Sequence, residues 1–478
     1  MTAASLWACV VLAGILQLAS GSEQLPSGAE PFSSTDSGPL FLTPFIKNCS
    51  FDEARNQSRV KLFQEKANAT AYSGFITVNE TTGSNLFFLL IEAQNNSSEA
   101  PLMLWVQGGP GLSSLFGQFL QNGPIGINAS GGLFHRNLTI QKDVNIVYLD
   151  VPVGAGFSFT RNESGFARSL QDITVDIREF LSQFEKLFCE YSGRDFYVAG
   201  ESYGARYAVS LAHSLKTNRS GNITLKLQGT IGGVGFFGSV FQTADSSSFL
   251  YAASMVTQEG RNQFATQFEI MRQLASSGNT TQFQMAVGLL FQTLFNSIPP
   301  YPPTLFQNLT LYNSHASPLY SEMPPDMVQY FIYANKSEFK KAIHVGEDVC
   351  LRYYNESLIL SLAPDLAYDV SPQIEFLLNE SRVLFYTAQM DTVFPATNLQ
   401  AYFRSLNWTY ASEYRNAPRV PWKPYGGCQG MCGYKITVHD FTEAMLLGAG
   451  HYAAVDKPDE AYYLMREFIT ENKVSPMC

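Results

Sequence analysis

DFYVAGESYGARYAVSLAHSLKT, residues 195–217, is the stretch that decides the fold. The apolar run at 195–199 predicts a β-strand, and the apolar side chains between 208 and 215 recur at helical spacing. Between them, Gly200-Glu-Ser-Tyr-Gly204 matches the pattern G-x-S-x-G. In a strand–turn–helix setting this pattern is typical of a nucleophile elbow, whose sharp turn leaves the serine hydroxyl exposed. The sequence therefore predicts Ser202 as a nucleophile, and such a serine needs a base nearby.

Apolar runs elsewhere in the chain extend this reading to an α/β fold. Four of them lack alternation between apolar and polar residues, as expected for parallel strands covered on both faces. They are Leu102–Val106, Ile146–Leu149, Phe196–Val198 and Val383–Tyr386. Between the second and third runs, Ile173, Ile177, Phe180, Phe184 and Phe188 recur with a helical period. Strands alternating with helices predict a central, mostly parallel sheet flanked by helices.

The base and acid are expected to follow the serine in the order Asp or Glu, then His. His451 follows a strand and a Gly-rich turn near the C-terminus, which makes it the best base among the six histidines. Asp391 follows the buried strand 383–386 after a short turn, whereas no strand leads into Asp365 or Asp369. Asp391 is therefore the predicted acid that orients the imidazole.

An oxyanion hole is expected from backbone N–H groups. The loop Gln107-Gly-Gly-Pro-Gly111 follows the strand 102–106, and it predicts Gly109 as one donor with Tyr203 as the other. A phosphate-binding loop is the alternative. It is disfavoured because Pro110 removes a donor and no lysine follows.

Composition excludes several classes of protein. The 478 residues are 45% hydrophobic and 15% charged, which excludes a disordered chain. The net charge of −10 disfavours nucleic acid as a partner. No cofactor and no metal are expected.

The N-terminus and the glycosylation sequons indicate the secretory pathway. Leu6–Ala19 is apolar but short for a membrane span, and Ala19-Ser-Gly21 offers a cleavage site, with an uncleaved anchor as the alternative. In addition, 17 asparagines stand in N-x-[ST] sequons, against about four expected by chance. We expect a secreted or lysosomal protein that is soluble after signal removal.

Six cysteines remain after that removal, and an even number in an oxidising compartment suggests disulfides. Fifteen pairings are open, since spacing does not choose among them. Cys428 and Cys432 have a spacing that a metal site also uses. Because no second Cys/His pair lies beside them, a local disulfide is favoured.

The chain divides by composition into five segments. Residues 242–325 are helical in pattern, interrupted by a Pro-rich break, and predict a lid inserted in the core, with ordinary connecting helices as the alternative. The expected segments are 1–21 (signal peptide), 22–45 (mobile arm), 46–241 (core, first part), 242–325 (helical lid insertion) and 326–478 (core, second part).

Four separated motifs resemble those of the serine carboxypeptidases, a family of the α/β-hydrolase superfamily. They are WVQGGPG (105–111), DVPVGAGFSF (150–159), GESYGARY (200–207) and GAGH (448–451). PLFLTP at 39–44, Gln107 and Gln389-Met-Asp391 resemble the vitellogenic-like branch in particular. The resemblance implies an α/β-hydrolase fold, Ser202, Asp391 and His451 as the triad, and Gly109 and Tyr203 as the hole.

The family also binds the substrate's terminal carboxylate, and here the chain departs from the pattern. An Asn and a Glu of the family are replaced by Gln107 and Gln121, while Glu201 is retained. The loop Ile231–Gly235 also lacks the usual Asn or Asp.

The function expected is a serine-type carboxypeptidase that releases C-terminal residues through an acyl-enzyme at Ser202. Its partners would be peptide or protein C-termini, and a homodimer is left open. Two alternatives remain at this stage: an acyltransferase on the same triad, and a chaperone-like binding protein with weak catalysis.

Overall fold

A computed structural model describes residues 38–218, 222–298, 300–351, 354–424 and 430–471. The predicted signal peptide and residues 22–37 of the predicted arm lie outside these ranges. Twelve strands occur in the described ranges: β1 Ala71–Asn79, β2 Ser84–Ile91, β3 Leu102–Val106, β4 Ile125–Ile127, β5 Leu133–His135, β6 Asn145–Leu149, β7 Asp195–Glu201, β8 Lys226–Gly233, β9 Arg382–Ala388, β10 Val420–Trp422, β11 Gly433–Val438 and β12 Phe441–Leu446.

The α-helices of the described ranges flank and connect these strands. They are α1 Thr43–Lys47, α2 Phe51–Ser58, α3 Lys61–Ala67, α4 Leu170–Leu187, α5 Gly204–Thr217, α6 Val240–Thr243, α7 Ser247–Ala252, α8 Gln258–Ser276, α9 Thr280–Leu294, α10 Leu305–Thr310, α11 Pro325–Ala334, α12 Ser337–Ala342, α13 Glu356–Ser361, α14 Ser371–Glu380, α15 Ala396–Ser405, α16 Ala411–Asn416, α17 Ala453–Asp456 and α18 Pro458–Thr470. Gly117–Asn122 forms a π-helix.

Ten of the described strands form one sheet in the order β1-β2-β6-β3-β7-β8-β9-β12-β11-β10. The six central strands from β6 to β12 pair in parallel, and the outer strands pair antiparallel. Successive residues of the central strands belong to two separate hydrophobic clusters, one on each face of the sheet. Both faces are therefore covered, as a parallel sheet requires.

The four predicted strand runs are confirmed as β3, β6, β7 and β9. Every residue of β3 and β6 is buried, which explains why their sequences show no alternation. The helix predicted between β6 and β7 is confirmed as α4. Its N-cap, Ser169, forms a capping box with Asp172, and its apolar side packs in the core beside α5.

The segment predicted as a lid lies in the chain between β8 and β9, and it contains α7 to α10. No strand occurs in its described residues. Its lid function stays a prediction.

The described end of the predicted mobile arm, residues 38–45, packs against the core. Leu42 is fully buried, its N–H donates to Phe75 O at 2.8 Å, and α1 begins at Thr43. Residues 40–45 are held in place because burial of their apolar side chains beside β1 outweighs the ordering cost of the backbone.

Cysteine pairing is only partly as expected. Cys432 is disulfide-bonded, but Cys49, Cys189 and Cys350 are free and exposed. Cys428 and Cys478 lie outside the described residues. Among the described helices, none combines the length and the apolar character that a bilayer span requires.

Candidate active site

Ser202 lies at the turn between β7 and α5 with φ of 57°. This left-handed conformation is costly for serine and persists only where the surrounding structure holds it. Its N–H donates to Gly233 O at 2.9 Å. A Cβ at Gly200 would lie 2.3 Å from Gly204 O, and a Cβ at Gly204 would lie 2.4 Å from Val106 O. Both glycines of the motif are therefore required by space.

Ser202, His451 and Asp391 lie in one hydrogen-bonded chain. His451 Nε2 is 3.1 Å from Ser202 Oγ, and His451 Nδ1 is 3.0 Å from Asp391 Oδ2. The other carboxylate oxygen, Oδ1, accepts from the N–H groups of Val393 and Phe394 at 2.8 and 2.9 Å. Asp391 is fully buried. Its geometry orients the imidazole so that Nε2 faces the serine hydroxyl.

The turn that carries His451 is fixed by the end of the segment 242–325. The His451 N–H donates to Ala316 O at 2.9 Å, and Thr392 Oγ1 donates to His315 O. A Cβ at Gly450 would lie 2.4 Å from Ser317 Cβ. This end of the segment is therefore part of the site's framework.

The loop 107–111 lies directly against the elbow. A Cβ at Gly108 would be 2.7 Å from both Ser202 Cβ and Tyr203 N, so only glycine allows this approach. Gly109 follows with φ of 120°. Tyr203 is the N-cap residue of α5, where backbone N–H groups have no acceptor within the helix. Gly108 therefore lies against both Ser202 and Tyr203, and the roles of the Gly109 and Tyr203 N–H groups as oxyanion donors stay a prediction.

Asp150 accepts hydrogen bonds from the residues that directly follow this loop. Its Oδ1 accepts from Ser113 Oγ at 2.7 Å and Ser114 N at 2.8 Å, and its Oδ2 accepts from Phe157 N at 2.8 Å. Burial raises the pKa of Asp150 to about 7, although these three donors oppose that shift. Ser114 Oγ in turn accepts from Gln107 N at 3.0 Å.

Glu201 is the centre of a second buried cluster beside the serine. Gln121 Nε2 donates to Glu201 Oε2, and Tyr386 OH donates to Oε1 at 2.5 Å. Gln107 accepts from Trp105 Nε1 at 3.1 Å through its amide oxygen, and its side chain lies close enough to Glu201 to lower the pKa of that carboxyl. The structure therefore brings together all three residues predicted at the carboxylate site.

Burial raises the pKa of Glu201 above its usual range. Hydrogen bonds from Tyr386, Gln121 and Gln107, together with the field of His451, lower it in part. The carboxyl can therefore take up a proton at higher pH than an exposed glutamate. Protonated, it donates a hydrogen bond; ionised, it repels an anion.

Tyr386 was missed by the sequence analysis, and the register of the sheet explains its role. Gly233 of β8 pairs with Glu201 of β7 on one side and with Tyr386 of β9 on the other. A Cβ at Gly233 would lie 2.2 Å from Tyr386 OH. The Tyr386 side chain therefore passes over β8 at Gly233, where that strand carries no side chain. The glycines of Ile231–Gly235 were the available signal.

Asp365, which no strand leads into and which the sequence disfavours as the triad acid, lies away from His451 in the structure. It contacts Arg206 and Tyr203 rather than His451. Arg206 stands within the GESYGARY motif, where the sequence alone predicts no role for it. In the described residues, no group of three or more His, Cys, Asp or Glu side chains is arranged to hold a metal ion.

Comparison with known proteins identifies relatives over most of the chain. The family model described as serine carboxypeptidase matches residues 62–471. A venom serine carboxypeptidase of Apis mellifera is 34% identical, with 91% of each chain covered. The probable serine carboxypeptidase CPVL of Homo sapiens is 32% identical, with 91% of this chain and 90% of that protein covered. A vitellogenic carboxypeptidase of Aedes aegypti is 30% identical, with 93% of each covered.

A solved structure shares the fold. The prohormone-processing carboxypeptidase of Saccharomyces cerevisiae superposes with a TM-score of 0.70 at 18% identity, covering 88% of this chain and 97% of that one. The predicted α/β-hydrolase fold is thereby confirmed.

Proposed function

This chain belongs to the serine carboxypeptidase family, and we propose that its carboxypeptidase reaction runs through an acyl-enzyme at Ser202 with Glu201 at the substrate's terminal carboxylate. The observation that carries the proposal is the adjacency of two buried clusters. The hydrogen-bonded chain Ser202–His451–Asp391 and the carboxyl cluster of Glu201 meet at consecutive residues of the elbow.

Acylation begins when Ser202 Oγ attacks the last peptide carbonyl and His451 Nε2 takes the serine proton. The N–H groups of Gly109 and Tyr203 stabilise the negative oxygen of the tetrahedral intermediate. The C–N bond then breaks, and His451 returns the proton to the leaving amine. Water, deprotonated by His451, attacks the ester and releases the shortened peptide.

The carboxyl cluster would select free C-termini. The amide nitrogens of Gln107 and Gln121 are neutral donors, and a protonated Glu201 is a third. A substrate carboxylate in this buried setting favours protonation of Glu201, since two adjacent anions in a low dielectric repel each other. Binding is therefore coupled to uptake of one proton.

Fluorophosphonate labelling tests the nucleophile directly. Wild type is expected to gain one phosphonyl adduct, located at Ser202 by peptide mass spectrometry, and Ser202→Ala is expected to gain none. An unlabelled, folded wild type would support the weakly catalytic binding protein instead. Turnover with an added alcohol acceptor separates the acyltransferase alternative, because it would yield an ester of the shortened peptide.

The Gln121→Glu variant is expected to steepen the pH dependence of KM. A second carboxyl beside Glu201 means that two groups must share protons in one buried site, and each raises the pKa of the other. Wild type loses affinity as pH rises through the Glu201 titration alone. The variant should lose affinity more steeply towards neutral pH. Profiles of KM against pH that have equal slopes would place Gln121 outside the carboxylate site.

The secretory route is proposed from the sequons. Of the 17 sequon asparagines, all are exposed except Asn335, which is half-buried, and Asn355, which is buried. Asn355 Nδ2 donates to Gly154 O at 3.2 Å, so its amide is occupied. Exposure of the remainder is what N-glycosylation requires. Secretion or lysosomal delivery would account for so many acceptor sites.

A further inference from the structure

Arg206 is a cation buried directly behind the nucleophile elbow. Its side chain is fully buried, and its guanidinium lies 3.2 Å from Asp365 Oδ2. It also donates to three carbonyl oxygens, those of Asp365 at 2.9 Å, Tyr368 at 3.0 Å and Phe237 at 3.2 Å. Burial of an ion pair is expensive, and apolar residues of equal volume often serve stability as well. Stability alone therefore gives no reason for a cation at this position, which indicates a role for Arg206 beyond packing.

Asp365 connects this cation to the catalytic turn. Its Oδ2 accepts from Tyr203 OH as well as from Arg206, and its Oδ1 accepts from Leu170 N at 2.9 Å. Tyr203 is the residue that follows the strained Ser202. The Asp365 carboxylate thus holds the phenol of Tyr203, the residue whose backbone N–H is the proposed oxyanion donor.

Aromatic contacts extend the same anchor to the triad histidine. The Arg206 guanidinium lies 4.8 Å from the Phe236 ring centre, and the Tyr203 ring lies 5.4 Å from it. Phe236 contacts Phe394 at 5.1 Å, and Phe394 contacts His451 at 5.3 Å. Phe394 also gives its N–H to Asp391.

We infer that Arg206 and Asp365 are positioning residues for catalysis, which hold the Tyr203 phenol and thereby fix the Tyr203 N–H in the oxyanion hole. The inference rests on the proposed function, in which that N–H stabilises the intermediate. A donor acts fully only when its nitrogen lies about 2.7–3.1 Å from the place where the oxyanion develops, and an error of about half an ångström weakens it. A phenol clamped by a buried carboxylate prevents the left-handed Ser202 turn from relaxing.

Tyr203→Phe removes only the hydroxyl that Asp365 accepts from. Its kcat for a peptide acid is expected to fall about tenfold with KM unchanged, which is less than the ~10²–10³ that loss of a whole donor costs. The matched control is Tyr207→Phe, one turn further along α5. Tyr207 is equally buried, its ring lies 5.1 Å from that of Tyr203, and its hydroxyl has no hydrogen-bond partner. That control should leave kcat unchanged.

A second measurement separates this inference from the proposed function. Fluorophosphonate inactivation places the phosphonyl oxygen in the same hole but needs no peptide carboxylate. The rate constant for inactivation should fall about tenfold in Tyr203→Phe and stay unchanged in Tyr207→Phe, whichever substrate the enzyme takes. Asp365→Asn, where it folds, should lower kcat by itself and add nothing to Tyr203→Phe.

A solely structural role predicts a different pattern. Thermal unfolding would shift in Tyr203→Phe, while kcat and the inactivation rate constant measured well below the transition would match wild type. That result overturns the inference. Wild type that inactivates readily but releases no C-terminal residue would instead overturn the carboxypeptidase proposal and leave the Tyr203 comparison valid.

Discussion

The Ser202→Ala variant is expected to lose about 10⁴-fold or more in kcat for peptide hydrolysis, the scale on which loss of a triad nucleophile is measured. Ser202 Oγ forms the bond to the substrate, and no other hydroxyl in the described site lies in hydrogen-bond contact with His451. Folding should be retained because the Ser202 side chain is only half-buried and alanine removes just its hydroxyl, which bonds to His451. Initial rates and thermal unfolding of the purified variant are the measurements.

Ser210→Ala is the matched control for this experiment. Ser210 lies on α5, the helix that follows the Ser202 turn; it is buried, and its Oγ is 2.6 Å from Thr174 Oγ1. Its loss should lower stability by about 1 kcal/mol and leave kcat near wild type. A Ser202→Ala enzyme that keeps most of its turnover would contradict the assignment of the nucleophile.

The second large effect is expected from Asp391→Asn, with kcat lower by about 10⁴ and KM little changed. Asp391 Oδ1 accepts from two backbone N–H groups, so an asparagine would place its oxygen there. Its NH₂ would then face His451 Nδ1. The histidine would carry its proton on Nε2 and could not accept from Ser202. A variant within tenfold of wild type would show that Asp391 does not orient the base.

Features that depend on neighbouring residues could be predicted from the sequence, whereas features that depend on contacts between distant residues could not. The strands β3, β6, β7 and β9, helix α4 and the fold class were predictable because local apolar patterning and the elbow motif encode them. Tyr386 was not, since its contact with Glu201 depends on the register of three strands whose middle member is Gly233. The absence of a preceding strand correctly disfavoured Asp365 as the triad acid. Its contact with Arg206 joins residues 159 positions apart, and local sequence patterns do not predict such contacts.

The N-terminal arm illustrates a different limit. Composition at 22–45 is rich in Ser, Gly and Pro, and it predicts mobility for the whole stretch. Leu42 is nevertheless fully buried, and its N–H donates to Phe75 O in β1. Composition averages over a window, whereas burial of an individual apolar side chain holds Leu42 in place.

The most direct test of the account is kcat/KM for one peptide presented as the C-terminal acid and as its amide. The amide would leave unpaired the buried polar groups that bind the carboxylate. Sites of this kind favour the matching substrate over the analogue by about 10⁴. The account predicts rapid release of the C-terminal residue from the acid, little from the amide, and neither from Ser202→Ala. Equal kcat/KM for acid and amide would contradict it and would indicate an endopeptidase or esterase.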